Sequence, residues 1–189
     1  MTPRRKKPRP YIDTNVILDY IRNRNHESVL LMETIKRKKI KCWTSYYTIL
    51  ELIDREQENK WIWRRVQNGE TFDDILRHRY PRKLSEAELL DVFDEVENRF
   101  LKHFVDPNIV IVTVPLETSW DQILELLQKS NFSIGDAFQL DAAIGNNCNI
   151  FITNDSDFVR MINETNLIPA ARPMELDKKL AEIGIRPIV

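Results

Sequence analysis

Apolar positions recur along this chain in two rhythms, short runs and three-to-four spacing, and the alternation of the two predicts its elements. Tyr11 and Ile12 start a very short strand that runs into Asp13-Thr14-Asn15. Val16, Ile17, Tyr20 and Ile21 then fall at helical spacing over 16–23. A second helix from Glu27 to Lys39 carries Val29, Leu30, Met32 and Ile35, and its basic end leads into a short strand near Ile40 to Trp43. Thr44 or Ser45 is expected to cap the next helix, which holds Tyr47, Ile49, Leu50, Leu52 and Ile53. Helical character continues past Trp61 and Trp63 to Asn68-Gly69, a C-terminal stop. Residues 71–79 read as a short helix before Tyr80-Pro81. Ser85 with Glu88 forms a capping box that opens a helix of about five turns, with Leu89, Leu90, Val92, Phe93, Val96, Phe100, Leu101 and Phe104 as its apolar side.

Beyond the Asp106-Pro107-Asn108 turn, Ile109 to Val114 is a β-branched run expected of a strand buried on both faces. Helices near 119–129 and 135–146 follow, then a strand over 149–153. After Phe158 come one short helix, Pro169, Pro173 and a last helix up to Gly184. Short strands alternating with helices predict an α/β chain, a three-layer α/β/α sandwich on a central, mostly parallel sheet. Ligands in such folds lie beyond the carboxyl ends of the strands. The domain expectation is a basic arm over 1–9, a core domain over 10–160 with a helical insertion at about 55–106, and an extension over 161–189 packed on it.

Composition narrows the chemistry. The chain of 189 residues has four glycines, two cysteines and three histidines. Scattered glycines exclude a G-x-G-x-x-G dinucleotide loop and a Walker phosphate loop. Cys42 and Cys148 with His26, His78 and His103 show no zinc-finger spacing. Unpaired cysteines, no apolar signal stretch before Asp13 and no long apolar run lead to the expectation of a cytoplasmic protein without a membrane span. Carboxylates, hydroxyls and amides are left to do the work.

The net charge of −1 conceals a segregation. Residues 1–41 hold 12 basic and 4 acidic side chains (+8), and residues 42–189 hold 16 and 25 (−9). Arg4, Arg5, Lys6, Lys7 and Arg9 form one basic cluster; Lys36, Arg37, Lys38, Lys39 and Lys41 form another. Each is a candidate footprint for a phosphate backbone, with a solvated tail or a helix end as the plainer reading.

Two polar clusters follow strands: Asp13-Thr14-Asn15, and Thr153-Asn154-Asp155 with Asp157. Asp, Thr and Asn are also the preferred N-caps, so each cluster alone is explained by capping. Two further acids change the balance. Glu51 falls inside the apolar run Ile49 to Ile53, and Asp136 opens the helix that leads into the Thr153 strand. Carboxylates gathered without Lys or Arg between them repel, and a hard divalent cation with oxygen preference, Mg²⁺ or Mn²⁺, relieves that repulsion. Such an ion lowers the pKa of a bound water and neutralises phosphate charge.

The segments Tyr11-Ile12-Asp13-Thr14-Asn15-Val16-Ile17-Leu18, the Glu51 helix, and Gly135-Asp136-Ala137-Phe138 leading to Thr153-Asn154-Asp155-Ser156-Asp157-Phe158 resemble the PIN-domain ribonucleases, most closely the VapC-like toxins of toxin–antitoxin pairs. The resemblance covers roughly residues 10–55 and 109–160. It implies a PIN-like sandwich and a metal-dependent endoribonuclease. The implied catalytic and metal-binding acids are Asp13, Glu51, Asp136 and Asp155, with Asp157 as an extra metal ligand and Thr14, Asn15, Thr153 and Asn154 in support. It also implies an RNA substrate, a homodimer and an antitoxin partner. Asp141 stands about 140° round the helix from Asp136, which separates the two carboxylates.

Two other readings use the same residues. A haloacid-dehalogenase-like phosphatase would take Asp13 as nucleophile, but Asn15 stands where its second acid belongs. A catalytically silent PIN-fold module would bind RNA or a partner only. In the insertion, Trp61, Trp63, Arg64 and Arg65 either stack on bases or form core or dimer surface.

Overall fold

The computed structural model describes residues 6–78, 80–81, 83–102, 106–112, 116–130 and 132–188. Arg4 and Arg5 of the first basic cluster, Phe104, and Val114 of the third expected strand lie outside these residues. Two compact units divide the chain: Met1–Thr48 with Asp106–Val189, and Ile49–Val105.

The first unit is built on five parallel strands: β1 (Pro10–Ile12), β2 (Cys42–Ser45), β3 (Ile109–Val112), β4 (Ile150–Ile152) and β5 (Ala170–Ala171), in the order β3-β2-β1-β4-β5. Parallel neighbours cannot be joined by a tight turn, so helices make the connections. They are α1 (Thr14–Ile21), α2 (His26–Lys38), α6 (Leu116–Ser130), α7 (Ile134–Gly145) and α8 (Ser156–Thr165), with α9 (Leu176–Glu182) closing the chain. The sheet is wholly parallel, and the α/β/α expectation holds. Its core stacks Tyr11 on Phe151 at 4.9 Å, and Phe158 meets Phe151 edge-on at 5.3 Å. Tyr11, Ile12, Ile150, Phe151 and Ile152 are all at 0–1 % exposure, as central strands covered on both faces require.

Three local expectations need correction. β2 begins at Cys42 and pairs Cys42 to Ser45 with Ile109 to Val112, so Thr44 and Ser45 are ladder residues rather than helix caps. The β-branched β3 lies at the sheet edge, not its centre, and Val110 and Ile111 are only half-buried. β5 escapes a periodicity reading because two alanines carry no alternation; its partners Phe151 and Ile152 define it.

The second unit contains most of α3 (Tyr46–Gln67), then α4 (Phe72–Arg77) and α5 (Glu86–Glu95), the last running on as a π-helical turn over Val96–Leu101. The Ser85/Glu88 capping box opens α5 as expected. Val92 and Val96 are buried, but Leu90 and Phe93 are half exposed or more, so the apolar side of this helix is narrower than the sequence suggests. The Trp61/Trp63 pair also splits. Trp61 is buried with the Arg65 guanidinium over its ring at 4.9 Å, whereas Trp63 is exposed. Arg64 and Arg65 are bonded to Glu88 and Glu70 at 2.7 and 2.6 Å, which argues against a base-stacking platform made by this group.

Candidate active site

The chain passes from β1 to β2 and β3 on one side, then crosses back so that β4 pairs with β1 on the other. The crevice where connections diverge, the usual ligand position of an open α/β sheet, therefore opens beyond the carboxyl ends of β1 and β4. Asp13 follows β1 there and Thr153 follows β4.

Thr153 joins the two ends. Its hydroxyl donates to Asp13 Oδ2 at 2.6 Å and accepts from Asn15 Nδ2 at 2.8 Å and from the Asp155 backbone N–H at 3.1 Å. One donor and two acceptor sites are all a hydroxyl has, so Thr153 is fully used. Asn15 uses its other end to accept from the Asn154 N–H at 3.0 Å. Asn154 then ties α1 to α2, donating to Asp19 Oδ2 at 2.7 Å and Ser28 Oγ at 2.8 Å. Of the four supporting positions read from the sequence, Asn15, Thr153 and Asn154 join in this network, whereas the Thr14 hydroxyl bonds to Thr48 and Gln139.

The acids also cap helices. Asp13 is the N-cap of α1, its Oδ1 accepting from the Thr14 N–H at 2.6 Å, and the residue is 5 % exposed. Asp155 is the N-cap of α8, with Oδ1 accepting from the N–H groups of Asp157 and Phe158 at 2.9 and 3.0 Å. Asp136 forms a capping box with Ser133 at the start of α7. Three carboxylates of the first unit are therefore fixed at helix N-termini, where the partial positive charge of the free N–H groups favours anions.

Asp157 faces solvent and pairs with Arg160 at 3.2 Å. Asp141 is 4 % exposed, on α7. Glu51 belongs to the second unit, half-buried on α3. The run around it is not uniformly apolar in the fold: Leu52 is fully buried and Leu50 is 61 % exposed, because helical residues two apart point about 200° from each other. Among the described residues, no three Asp, Glu, His or Cys side chains stand close enough together to hold one ion.

A second buried polar group escaped the sequence reading. Thr14 donates to Thr48 Oγ1 at 3.2 Å, Thr44 and Thr48 share a bond of 2.8 Å, and Gln139 Nε2 donates to Thr14 Oγ1 at 3.2 Å. All four are buried. The available signal was a Gln and a Thr at core-facing helical positions, Gln139 within Ala137–Leu140 and Thr48 two residues beyond Tyr46.

The basic residues are placed elsewhere. Lys36 is bonded to the Tyr20 hydroxyl and lies over that ring at 4.7 Å. Arg37 reaches Thr34 Oγ1 at 3.5 Å, and Lys38 donates to the Ile188 carbonyl at 2.8 Å. Lys6 bridges Ile185, and Lys7 with Lys38 and Lys39 lines a groove beside Arg9 and Lys41, residues that precede β1 and β2. The described residues of these clusters therefore lie at the amino ends of the strands, opposite the acids.

An α/β sheet with carboxylates at its switch point is open to a ligand there, and comparison specifies the family. The PIN domain profile matches residues 11–163. The chain belongs to the PIN domain family, whose members are generally nucleases using divalent metals. The crystal structure of FitAcB from Neisseria gonorrhoeae is similar in fold, with a TM-score of 0.53, 16 % identity, and coverage of 88 % of this chain and 99 % of that one. Comparison with curated protein sequences gives no match.

Proposed function

We propose that this protein is a Mg²⁺- or Mn²⁺-dependent endoribonuclease, acting as the toxin of a toxin–antitoxin pair. The observation that carries the reading is the Asp13–Thr153–Asp155 linkage: two Asp residues at the ends of adjacent strands are tied to one hydroxyl, Asp13 through its carboxylate and Asp155 through its backbone N–H. The donor set suits a hard cation in kind, being carboxylate oxygens of Asp without sulfur or imidazole. It suits Mg²⁺ in number as well, since that ion takes one or two carboxylates and completes its shell with water and phosphate oxygens. Asp13 and Asp155 would hold it, with Asp136 nearest in role. Asp157 and Glu51 remain ligands implied by the family resemblance alone. When bound, the ion neutralises phosphate charge and lowers the pKa of water.

The chain's own contribution is positioning. Thr153 aims Asp13, Asn15 fixes the turn after β4 by gripping Asn154, and the caps of α1 and α8 orient the two carboxylates. Asn15 has both ends of its amide committed to this bridge, so it offers no proton for the phosphatase reading. An antitoxin and a second copy of the chain are proposed partners, and the cytoplasm the proposed compartment.

The test is Asp13→Asn alongside Asp155→Asn, assayed for RNA cleavage with Mg²⁺, Mn²⁺ or EDTA. Asn caps helices about as well as Asp, so Asp155→Asn removes charge while keeping the cap. Each variant should lose more than about 100-fold in cleavage rate with an unchanged circular dichroism spectrum, given that even outer-shell changes at metal sites cost about 10–100-fold. Full activity in both variants, or cleavage undiminished by EDTA, overturns the assignment. RNA binding without cleavage by the wild type favours the silent module.

A further inference from the structure

The first unit contains a groove of about 550 Å³ whose lining, among the described residues, includes Lys7, Arg9, Lys38, Lys39, Lys41 and Arg186 and no acidic residue. Three distant stretches of chain supply these cations: the arm before β1, the end of α2, and the segment after α9. They converge because Lys6 bridges Ile185 in parallel and Lys38 holds the Ile188 carbonyl, which folds the C-terminal segment over the α2 end. Trp43 and Ile40 contribute an apolar floor.

Two of the six cations are spent internally. The Arg9 guanidinium covers the Trp43 ring at 4.3 Å and donates to the carbonyls of Asn146 and Asn147 at the end of α7. Lys38 is held by Ile188. Lys7, Lys39, Lys41 and Arg186 are exposed and carry the groove's outward charge. Four like charges rimming one depression without a counter-charge among its described lining residues produce a local positive potential that attracts polyanions.

We propose that this groove is a second RNA-backbone site, separate from the acids and binding phosphates other than the scissile one. The proposal rests on the ribonuclease reading for the identity of the polyanion. Its separation comes from the topology. Arg9 and Asp13 bracket β1, four residues apart, which at about 3.3 Å per residue is about 13 Å along the sheet. One phosphate cannot touch both ends, so the groove grips the body of a longer RNA. The cation type favours phosphate over an acidic peptide. Planar bidentate capture of carboxylates is the province of Arg, whereas three of the four outward cations are Lys, point charges that track a backbone without reading sequence. The buried Trp43 offers no face for base stacking, which again leaves the backbone as the ligand.

The experiment is fluorescence anisotropy of a 15-nucleotide oligouridine with full-length Asp13→Asn protein at several KCl concentrations. A second protein carries Lys7→Ala, Lys39→Asn, Lys41→Ala and Arg186→Ala as well. Asn is chosen at 39 because Lys39 has φ +52°, a left-handed conformation Asn tolerates. Every phosphate that the protein no longer neutralises should reduce the slope of log K against log salt by about 0.7, so the quadruple change should flatten it by about 2–3. Equal slope and affinity in the two proteins overturns the groove. So does loss of polyglutamate binding with RNA binding intact, which would make it an acidic-peptide site. Cleavage by the wild type is read separately: groove failure with Asp13-dependent cleavage retained leaves the nuclease standing, and RNA held by the groove without any cleavage does the reverse.

Discussion

At the scale of single residues, the Thr153 hydroxyl is the most heavily committed group of the candidate site. Thr153→Val keeps shape and removes the hydroxyl, leaving Asp13 Oδ2, Asn15 Nδ2 and the Asp155 N–H each short of a partner. One unsatisfied buried polar group costs about 1–3 kcal/mol, and partial rearrangement toward water makes about 2–3 kcal/mol the expected loss. Urea unfolding measures it. Thr153→Ser should recover most of the stability and of the cleavage rate, and a Val variant as stable as wild type would show that the linkage is not holding the strand ends. The polar residues that the strand ends bring together were legible because Asp, Thr and Asn directly after a strand have few uses. The sequence left open whether they cap helices or bind metal, since a carboxylate oxygen has more than one lone pair and can cap a helix and meet an ion at once. The Thr44/Thr48/Gln139 group was not legible, because nothing in a sequence distinguishes a buried hydroxyl with a partner from one facing solvent.

Elements were legible wherever local rules are strong. The Ser85/Glu88 box opens its helix as the spacing requires, and Gly69 ends α3 with φ +77°; the Ser133/Asp136 box, which the sequence reading did not name, obeys the same rule. What failed depended on neighbours: the edge position of β3 and the alanine strand β5 are properties of the sheet, not of the segments. Gly135 shows how an element can be fixed by a contact the sequence hides. It carries no left-handed backbone angle, yet a Cβ there would stand 2.5 Å from the Tyr47 hydroxyl oxygen and 2.8 Å from its Cε1. Tyr47 stacks at 6.1 Å on Phe138, one turn further along α7, a contact its ring gives up if it swings aside. Ala is favoured over Gly in helices by about 1 kcal/mol, whereas overpacking costs about 1–3 kcal/mol. Gly135→Ala should therefore destabilise in the wild-type background by about 1 kcal/mol or more. Once Tyr47→Ala has emptied the space, the same change should stabilise. Thermal melting of the four proteins in that cycle decides it, and an unchanged sign would show that the ring yields freely.

At the scale of the molecule, the parallel sheet sets two poles, acids beyond the carboxyl ends of its strands and cations before the amino ends. It also buries both thiols beside the strands that make this division. Cys42 opens β2 and Cys148 precedes β4; both are free, at 1 % and 9 % exposure. Burial pushes the Cys42 thiol up to about 12, with the negative charge of Asp106 adding to it, and burial likewise pushes Cys148 up to about 12 against the lowering effect of Arg9. In the unfolded chain a thiol ionises near 8.5. The folded value is the higher one, so the stabilisation is complete below about pH 8.5 and is lost as pH rises toward 12. Over that window the unfolded state has released protons that the native state retains. Each thiol then lowers unfolding free energy by up to about 1.4 kcal/mol per pH unit. Urea unfolding at pH 7.5, 9 and 10 should show wild-type stability falling more steeply than that of Cys42→Ala/Cys148→Ala, whose remaining slope reports the lysines and tyrosines alone. Parallel slopes in the two proteins would mean that the thiols reach solvent at alkaline pH, and alkylation of the native protein at pH 8 would reveal the same opening by mass.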